Sequence, residues 1–205
     1  MKHLAVLGAS GHGKVIADCA EVCGWDQVSF FDDRWPALAV NGHWPVIGGT
    51  AELIARLAEF QGVLVGIGNN VIRLTKLHQL LNAGAQVPVL QHPSAYISRY
   101  ARIGAGSVVF AGAVINADSE LGKGVIVNTG ATVDHDCVLA DGVHISPGAN
   151  LAGGVVVAAR SWVGIGASVR QLVQIGSDVV VGAGAAVVAN TADGVTLVGV
   201  PARPR

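Results

Sequence analysis

With 205 residues, 51% of them hydrophobic, the chain carries enough apolar material for one large core or two small ones, which excludes a disordered polymer. Thirteen basic and 14 acidic residues leave a formal charge of −1, and the basic ones are scattered, so neither nucleic acid nor an anionic membrane is an expected partner. Mean hydropathy is +0.52, yet glycine punctuates the apolar stretches and no membrane insertion is expected.

The first apolar run, residues 4–8, is too short for a signal peptide and leads straight into a glycine-rich turn, so it reads as a buried strand and the expected location is cytoplasmic. Cys19, Cys23 and Cys137 have neither metal-ligand spacing nor the even count of a disulfide framework. A helix follows over about 13–23, then a strand over 28–31 that ends in Asp32-Asp33, a third strand over 63–67, and a helix over about 70–81. This alternation predicts a small parallel α/β, Rossmann-like domain over 1–88.

Its first turn reads Gly8-Ala9-Ser10-Gly11-His12-Gly13, at a strand end and opening a helix, where free N–H groups can approach a phosphate. The spacing G-x-x-G-x-G departs from the dinucleotide pattern G-x-G-x-x-G. A nucleotide-diphosphate group is therefore the expected ligand rather than NAD, with Asp32, Asp33 and the Gly66-Ile67-Gly68-Asn69-Asn70 loop at the same strand ends.

Beyond residue 88 the pattern changes to a strict period of six. From Ile97 to Val187 every sixth residue is Ile, Leu or Val, sixteen in succession, and the residue two before each is Ala, Ser, Val or Cys. Neither a helix nor a hairpin array has that period, whereas short strands meeting at tight corners need one large inward residue per side and one small residue near each corner. Three sides close a coil, so residues 89–205 are expected to form an all-β parallel β-helix of about five coils. The frame fails at Gln91 and Asp193, and the tail after it is expected to fold back as a cap or a partner contact.

Of seven histidines only His135 and His144 fall in the repeat. The phase turns Val133 and Cys137 inward, which leaves Asp134, His135 and Asp136 at an outward corner. One coil further on stand Gly153 and Gly154, so the edge beside His135 is expected to be free of side chains. A histidine beside a carboxylate is a competent general base near neutral pH, because the negative charge raises its basicity and fixes its orientation. A metal-dependent hydratase on the same scaffold would need about three convergent histidines, and no metal is expected. A non-catalytic assembly scaffold is the other alternative.

Taken together, the Gly8 to Gly13 turn, Phe31-Asp32-Asp33, the Gly66 to Asn70 loop, Asn128-Thr129, His135-Asp136, His144 and the terminal Gly199-Val200-Pro201-Ala202 resemble the bacterial nucleotide-amino-sugar acetyltransferases. That family includes the UDP-4-amino-sugar N-acetyltransferase of bacillosamine synthesis and sialic acid O-acetyltransferases. The resemblance implies a left-handed β-helix and a homotrimer with acetyl-CoA, the co-substrate, bound between neighbouring solenoids. It implies His135 as general base, Asp136 as the group that raises its basicity, and Asn128 as a further active-site residue. His144, Gly153, Ile165 and Ala183 match acetyl-CoA contacts, and Ser10, Gly11, His12, Asp32, Asp33 and Gly68 match the nucleotide-sugar site. The implied reaction is acetylation of a 4-amino group on a nucleotide-linked sugar, UDP first, with GDP, dTDP or a hydroxyl acceptor as alternatives. A member of the family carries Glu where this chain has the shorter Asp136, so Asp134 stands as a second candidate partner of the imidazole.

Overall fold

The computed structural model describes all 205 residues and divides into two compact units, Met1–Pro93 and Ser94–Arg205. The first unit is built on a three-stranded parallel sheet of β1 (His3–Leu7), β2 (Gln27–Phe31) and β5 (Gly62–Val65), with β1 in the centre. Helices α1 (Gly11–Val22) and α3 (Asn70–Asn82) follow β1 and β5. The near-continuous burial of Leu4 to Leu7 fits a central parallel strand covered on both faces. Asn69 caps α3, its side chain accepting from the Ile72 N–H at 3.0 Å.

Three elements of this unit were not expected from the sequence. Strands β3 (Val40–Asn41) and β4 (Trp44–Pro45) pair antiparallel, and a short helix α2 (Thr50–Ala55) follows them. The unit also runs to Pro93, beyond the boundary expected at residue 88. The strand β6 (Leu90–Gln91) is tied to it through α1, because the Cys23 thiol donates to the Gln91 carbonyl at 3.0 Å.

The second unit is a β-solenoid. Sixteen two-residue strands, from Tyr96–Ile97 to Ala186–Val187, alternate among three faces. All but the last three pair in parallel with the strand 18 residues on: Thr132 and Val133 lie beside Asn150 and Leu151, and Ile126 and Val127 beside His144 and Ile145. One residue of each strand points in. The column Ile115, Val133, Leu151, Val169 and Val187 is at most 3% exposed, and the small residues two before each also face the core. Where serine takes that small position it bridges coils: Ser119 Oγ donates to the Asp134 carbonyl at 2.7 Å and accepts from the Cys137 N–H at 3.4 Å.

The corners are made by left-handed residues, again stacked every 18 positions. One corner carries Gly112, Gly130, Gly148, Gly166 and Gly184, and another carries Asp118, Asp136, Gly154 and Leu172, all with φ between 58° and 68°. Past the last coil, Thr196–Val198 adds in parallel to Val180–Val181, and Arg203–Pro204 folds back antiparallel upon it. The tail is thus a cap on the core, and the antiparallel return ends the ladder.

The inward column should carry the stability. Ile145→Ala removes a side chain that is fully buried and should cost about 2–5 kcal/mol. Gln174→Ala, at an outward position, should change stability by less than about 0.5 kcal/mol. Urea unfolding of both variants measures the difference; equal costs would contradict the inward phase.

Candidate functional site

In the first unit the carboxyl ends of the three parallel strands open into one hollow of about 300 Å³, where ligands of open α/β sheets bind. Its lining includes Gly8, Ser10, Asp32, Asp33, Gly68 and Lys76. The glycines have separate tasks. A β-carbon on Gly13 would stand 2.4 Å from the Gly8 carbonyl oxygen, so Gly13 is there for close packing of α1 on β1. Gly11 and Gly68 have no neighbour within 4 Å of that position and face open space. Ser10 precedes α1 but does not cap it: its hydroxyl donates to the Gly66 carbonyl at 2.9 Å. The N–H groups of the first turn therefore stay available to an anion.

The two aspartates are held differently. Asp32 takes the fork of Arg34, at 2.8 Å from Nε to Oδ1 and 2.9 Å from Nη2 to Oδ2, and accepts the Ala9 N–H at 2.8 Å. The Arg34 hydrogen bonds bring its pKa down to about 2. Asp33 accepts the Thr50 N–H at 2.7 Å and the Lys76 ammonium at 3.1 Å; its pKa is lowered first by Thr50 and less by Lys76. His12 is kept neutral, its pKa lowered to about 4 by burial and then by the charge of Arg73. Arg73 donates to the Gly68 carbonyl at 2.9 Å and to Asn70 Oδ1 at 2.8 Å, and so fixes the loop after β5. Lys76 and Arg73 were not singled out in the sequence, although both lie on the helix that follows the Gly66 to Asn70 loop.

On the solenoid, His135 stands at an outward corner with its side chain 61% exposed. Its Nδ1 lies 2.6 Å from Asp136 Oδ2. An ionised carboxylate only accepts, so Nδ1 carries the proton and Nε2 presents a lone pair. Asp134 has the other task. Its Oδ1 accepts the His135 backbone N–H at 2.8 Å and the Asn116 amide at 2.8 Å, which pins the chain at the corner. Of the two candidate partners of the imidazole, Asp136 is the one in contact. The His135 pKa is raised, first by the Asp136 hydrogen bond and then by the Asp134 charge.

The neighbouring edge is vacant. A β-carbon on Gly153 would stand 2.6 Å from both Cε1 and Nε2 of His135, so only glycine leaves the ring where it is. The N–H of Gly154 donates to the His135 carbonyl at 2.9 Å, whereas that of Gly153 donates to no group of the chain. His135, Asp136, Gly153, Gly154, Gln171 and Leu172 border a hollow of about 440 Å³. Gln171 and Leu172 were missed in the sequence; counting 18 past Gly153 and Gly154 finds both.

The remaining expected residues lie elsewhere on the coil. Asn128, His144, Ile165 and Ala183 belong to the all-glycine corner and the face before it, not to the corner of His135. The Asn128 amide lies 3.3 Å from His144 Nε2, and His144 stacks on Trp162 with centroids 4.8 Å apart and planes at 21°. Ile165 and Ala183 are exposed there. Within one chain, therefore, Gly153 is the only one of the expected acetyl-CoA contacts that stands beside His135.

Residues 3–80 match the family described as the PglD N-terminal domain. Over 100% of this chain and 99% of its own, the acetyltransferase domain of PglB from Neisseria gonorrhoeae FA1090, solved in complex with acetyl coenzyme A, is 46% identical with a TM-score of 0.95. A mutant of perosamine N-acetyltransferase from Caulobacter crescentus, solved with CoA and GDP-perosamine, is 38% identical with a TM-score of 0.95, covering 100% of this chain and 97% of that one. The UDP-N-acetylbacillosamine N-acetyltransferase of Bacillus subtilis (strain 168) is 38% identical over 113 residues, which are 54% of this chain and 52% of that protein. The match thus spans about half the length of this curated relative.

The order of influences on His135 is testable. Asp136→Asn should lower the imidazole pKa more than Asp134→Asn does, as read from the histidine ring proton shifts by NMR titration. The reverse order would contradict the contact geometry.

Proposed function

Because the chain belongs to the hexapeptide-repeat nucleotide-amino-sugar acetyltransferase family, we propose that it transfers the acetyl group of acetyl-CoA to the 4-amino group of a nucleotide-linked amino-deoxy sugar, for bacterial glycan synthesis. The observation that carries this reading is the pairing of His135 Nε2, oriented by Asp136 through Nδ1, with the unengaged N–H of Gly153 on the next coil. A base and an oxyanion donor on one open edge are what acyl transfer needs.

In this mechanism the sugar amine attacks the thioester carbonyl carbon while His135 Nε2 takes the amine proton. The oxyanion is held by the Gly153 N–H. The carbon–sulfur bond then breaks, and the thiolate of CoA recovers the proton from the imidazolium. Cys137 is buried and its thiol pKa is raised by burial, which supports direct transfer over an acyl-enzyme. The hollow at the strand ends of the first unit takes the nucleotide. Gly11 and Gly68 leave room for it, the α1 N–H groups meet the diphosphate, and Lys76 supplies a cation nearby.

The split of the expected acetyl-CoA residues between two corners supports a homotrimer, in which the Asn128, His144, Ile165 and Ala183 edge of one subunit faces the His135 corner of the next. Three free cysteines are consistent with the reducing cytoplasm, and no helix is long and apolar enough to cross a membrane. The base is read as uracil on the likeness to the Bacillus enzyme. GDP is the second reading, favoured by the fit to the Caulobacter structure over the whole chain.

Incubation with acetyl-CoA and a panel of UDP-, GDP- and dTDP-4-amino sugars, followed by mass spectrometry, should give one acetyl group added to one of them. Failure with every acceptor would overturn the reading. His135→Ala should reduce kcat by about two or more orders of magnitude while sparing CoA binding. Activity should fall as pH drops through the raised His135 pKa, because only neutral imidazole accepts a proton; Asp136→Asn should move that acidic limb to lower pH. Light scattering should give the mass of three chains, and a monomer would contradict the shared site.

A further inference from the structure

The corner that carries His135 holds one residue that coil geometry does not account for. Four stacked residues there, Asp118, Asp136, Gly154 and Leu172, have φ of 59°, 58°, 68° and 61°. Glycine adopts this region without penalty and aspartate is enriched in it. Leucine belongs to neither class. Two other non-glycine residues share the conformation, Arg160 and Asp178, and these bind each other through a fork at 2.7 and 2.5 Å. Leu172 has no such compensation: it is the one apolar member of the set and is 74% exposed. A large apolar side chain held in a strained conformation and left in solvent points to a task outside the fold.

Its surroundings indicate which task. The Leu172 N–H donates to the Gly153 carbonyl at 3.0 Å, so its backbone is tied to the residue that faces the imidazole. The side chain folds back along the corner until Cδ2 lies 2.7 Å from where a β-carbon of Gly154 would stand. The leucine thus covers Gly154 while Gly153 stays open to His135, and it borders the same hollow as the imidazole.

Resting on the acyl-transfer reading above, we propose that Leu172 limits the donor to a short acyl group. With the thioester oxygen at the Gly153 N–H and the carbonyl carbon before His135 Nε2, an acyl chain directed along the corner meets the isobutyl group of Leu172. An acetyl group ends before that contact. A butyryl group does not, and each methylene that cannot be seated costs roughly tenfold in discrimination.

The test is Leu172→Gly, which relaxes the left-handed backbone while opening the hollow, so the variant should melt no lower than the wild type. The ratio of kcat/KM for butyryl-CoA to that for acetyl-CoA should rise at least about tenfold, whatever the change in acetyl transfer itself. Calorimetric affinities for the two thioesters read the same preference without an acceptor. They keep the Leu172 test decisive even if no nucleotide sugar is acetylated, the result that would sink the proposed function instead. An unchanged butyryl preference in both measurements overturns the proposal. So does a loss of assembled mass by light scattering with no gain in butyryl use, since that outcome makes Leu172 a packing residue between subunits.

Discussion

Parallel pairing at a fixed offset of 18 residues is the constraint on which the solenoid and its corner chemistry depend. A slip of one residue would turn the Ile115, Val133 and Leu151 column outward and bury polar residues in its place, so the register is held by the whole core. Every outward side chain consequently sits on the one 18 residues away. Gly153 lies against His135, Trp162 against His144, and Leu172 over Gly154 because the ladder allows no other arrangement. The left-handed corners complete the constraint, since they turn the chain sharply enough to expose a backbone edge at each coil.

On that frame, two adjacent carboxylates have divided roles. Asp136 is outward and solvated, so its pairing with His135 adds little to stability. Asp134 holds the backbone, with Asn116 on the same oxygen, and Asp136 holds the ring. The separation matters because an imidazole free to rotate presents its lone pair in many directions. Here Nδ1 is engaged, and Nε2 lies over Gly153 of the next coil, where no side chain intervenes. The short arm of aspartate reaches Nδ1 because residue 136 is itself in the left-handed conformation and sits at the turn beside the ring.

Much of this was legible before any coordinates. The solenoid follows from a period of six sustained over sixteen steps, and the vacancy beside His135 follows from adding 18 to its number. Both depend only on spacing along the chain. Strands β1, β2 and β5 and helices α1 and α3 of the first unit were readable to within two residues, because apolar runs and the glycine turn mark them. The β3 and β4 pair escaped notice because two-residue strands have no periodicity to detect. The Lys76 to Asp33 contact joins residues 43 apart through a fold that spacing alone does not supply. The division between Asp134 and Asp136 also needed coordinates, since both flank His135 in sequence and only the turn decides which one meets the ring. Leu172 stands 18 residues past Gly154, yet an apolar residue in an apolar repeat carries no signal in the sequence that sets it apart from the core.

A crystal structure of the protein with acetyl-CoA bound is the most direct test of the claim that the vacated edge beside His135 is the place of reaction. The expected result has the thioester carbonyl oxygen within about 3 Å of the Gly153 N–H and the carbonyl carbon open to His135 Nε2. A thioester seated at another corner, with His135 and Gly153 facing solvent, would contradict it.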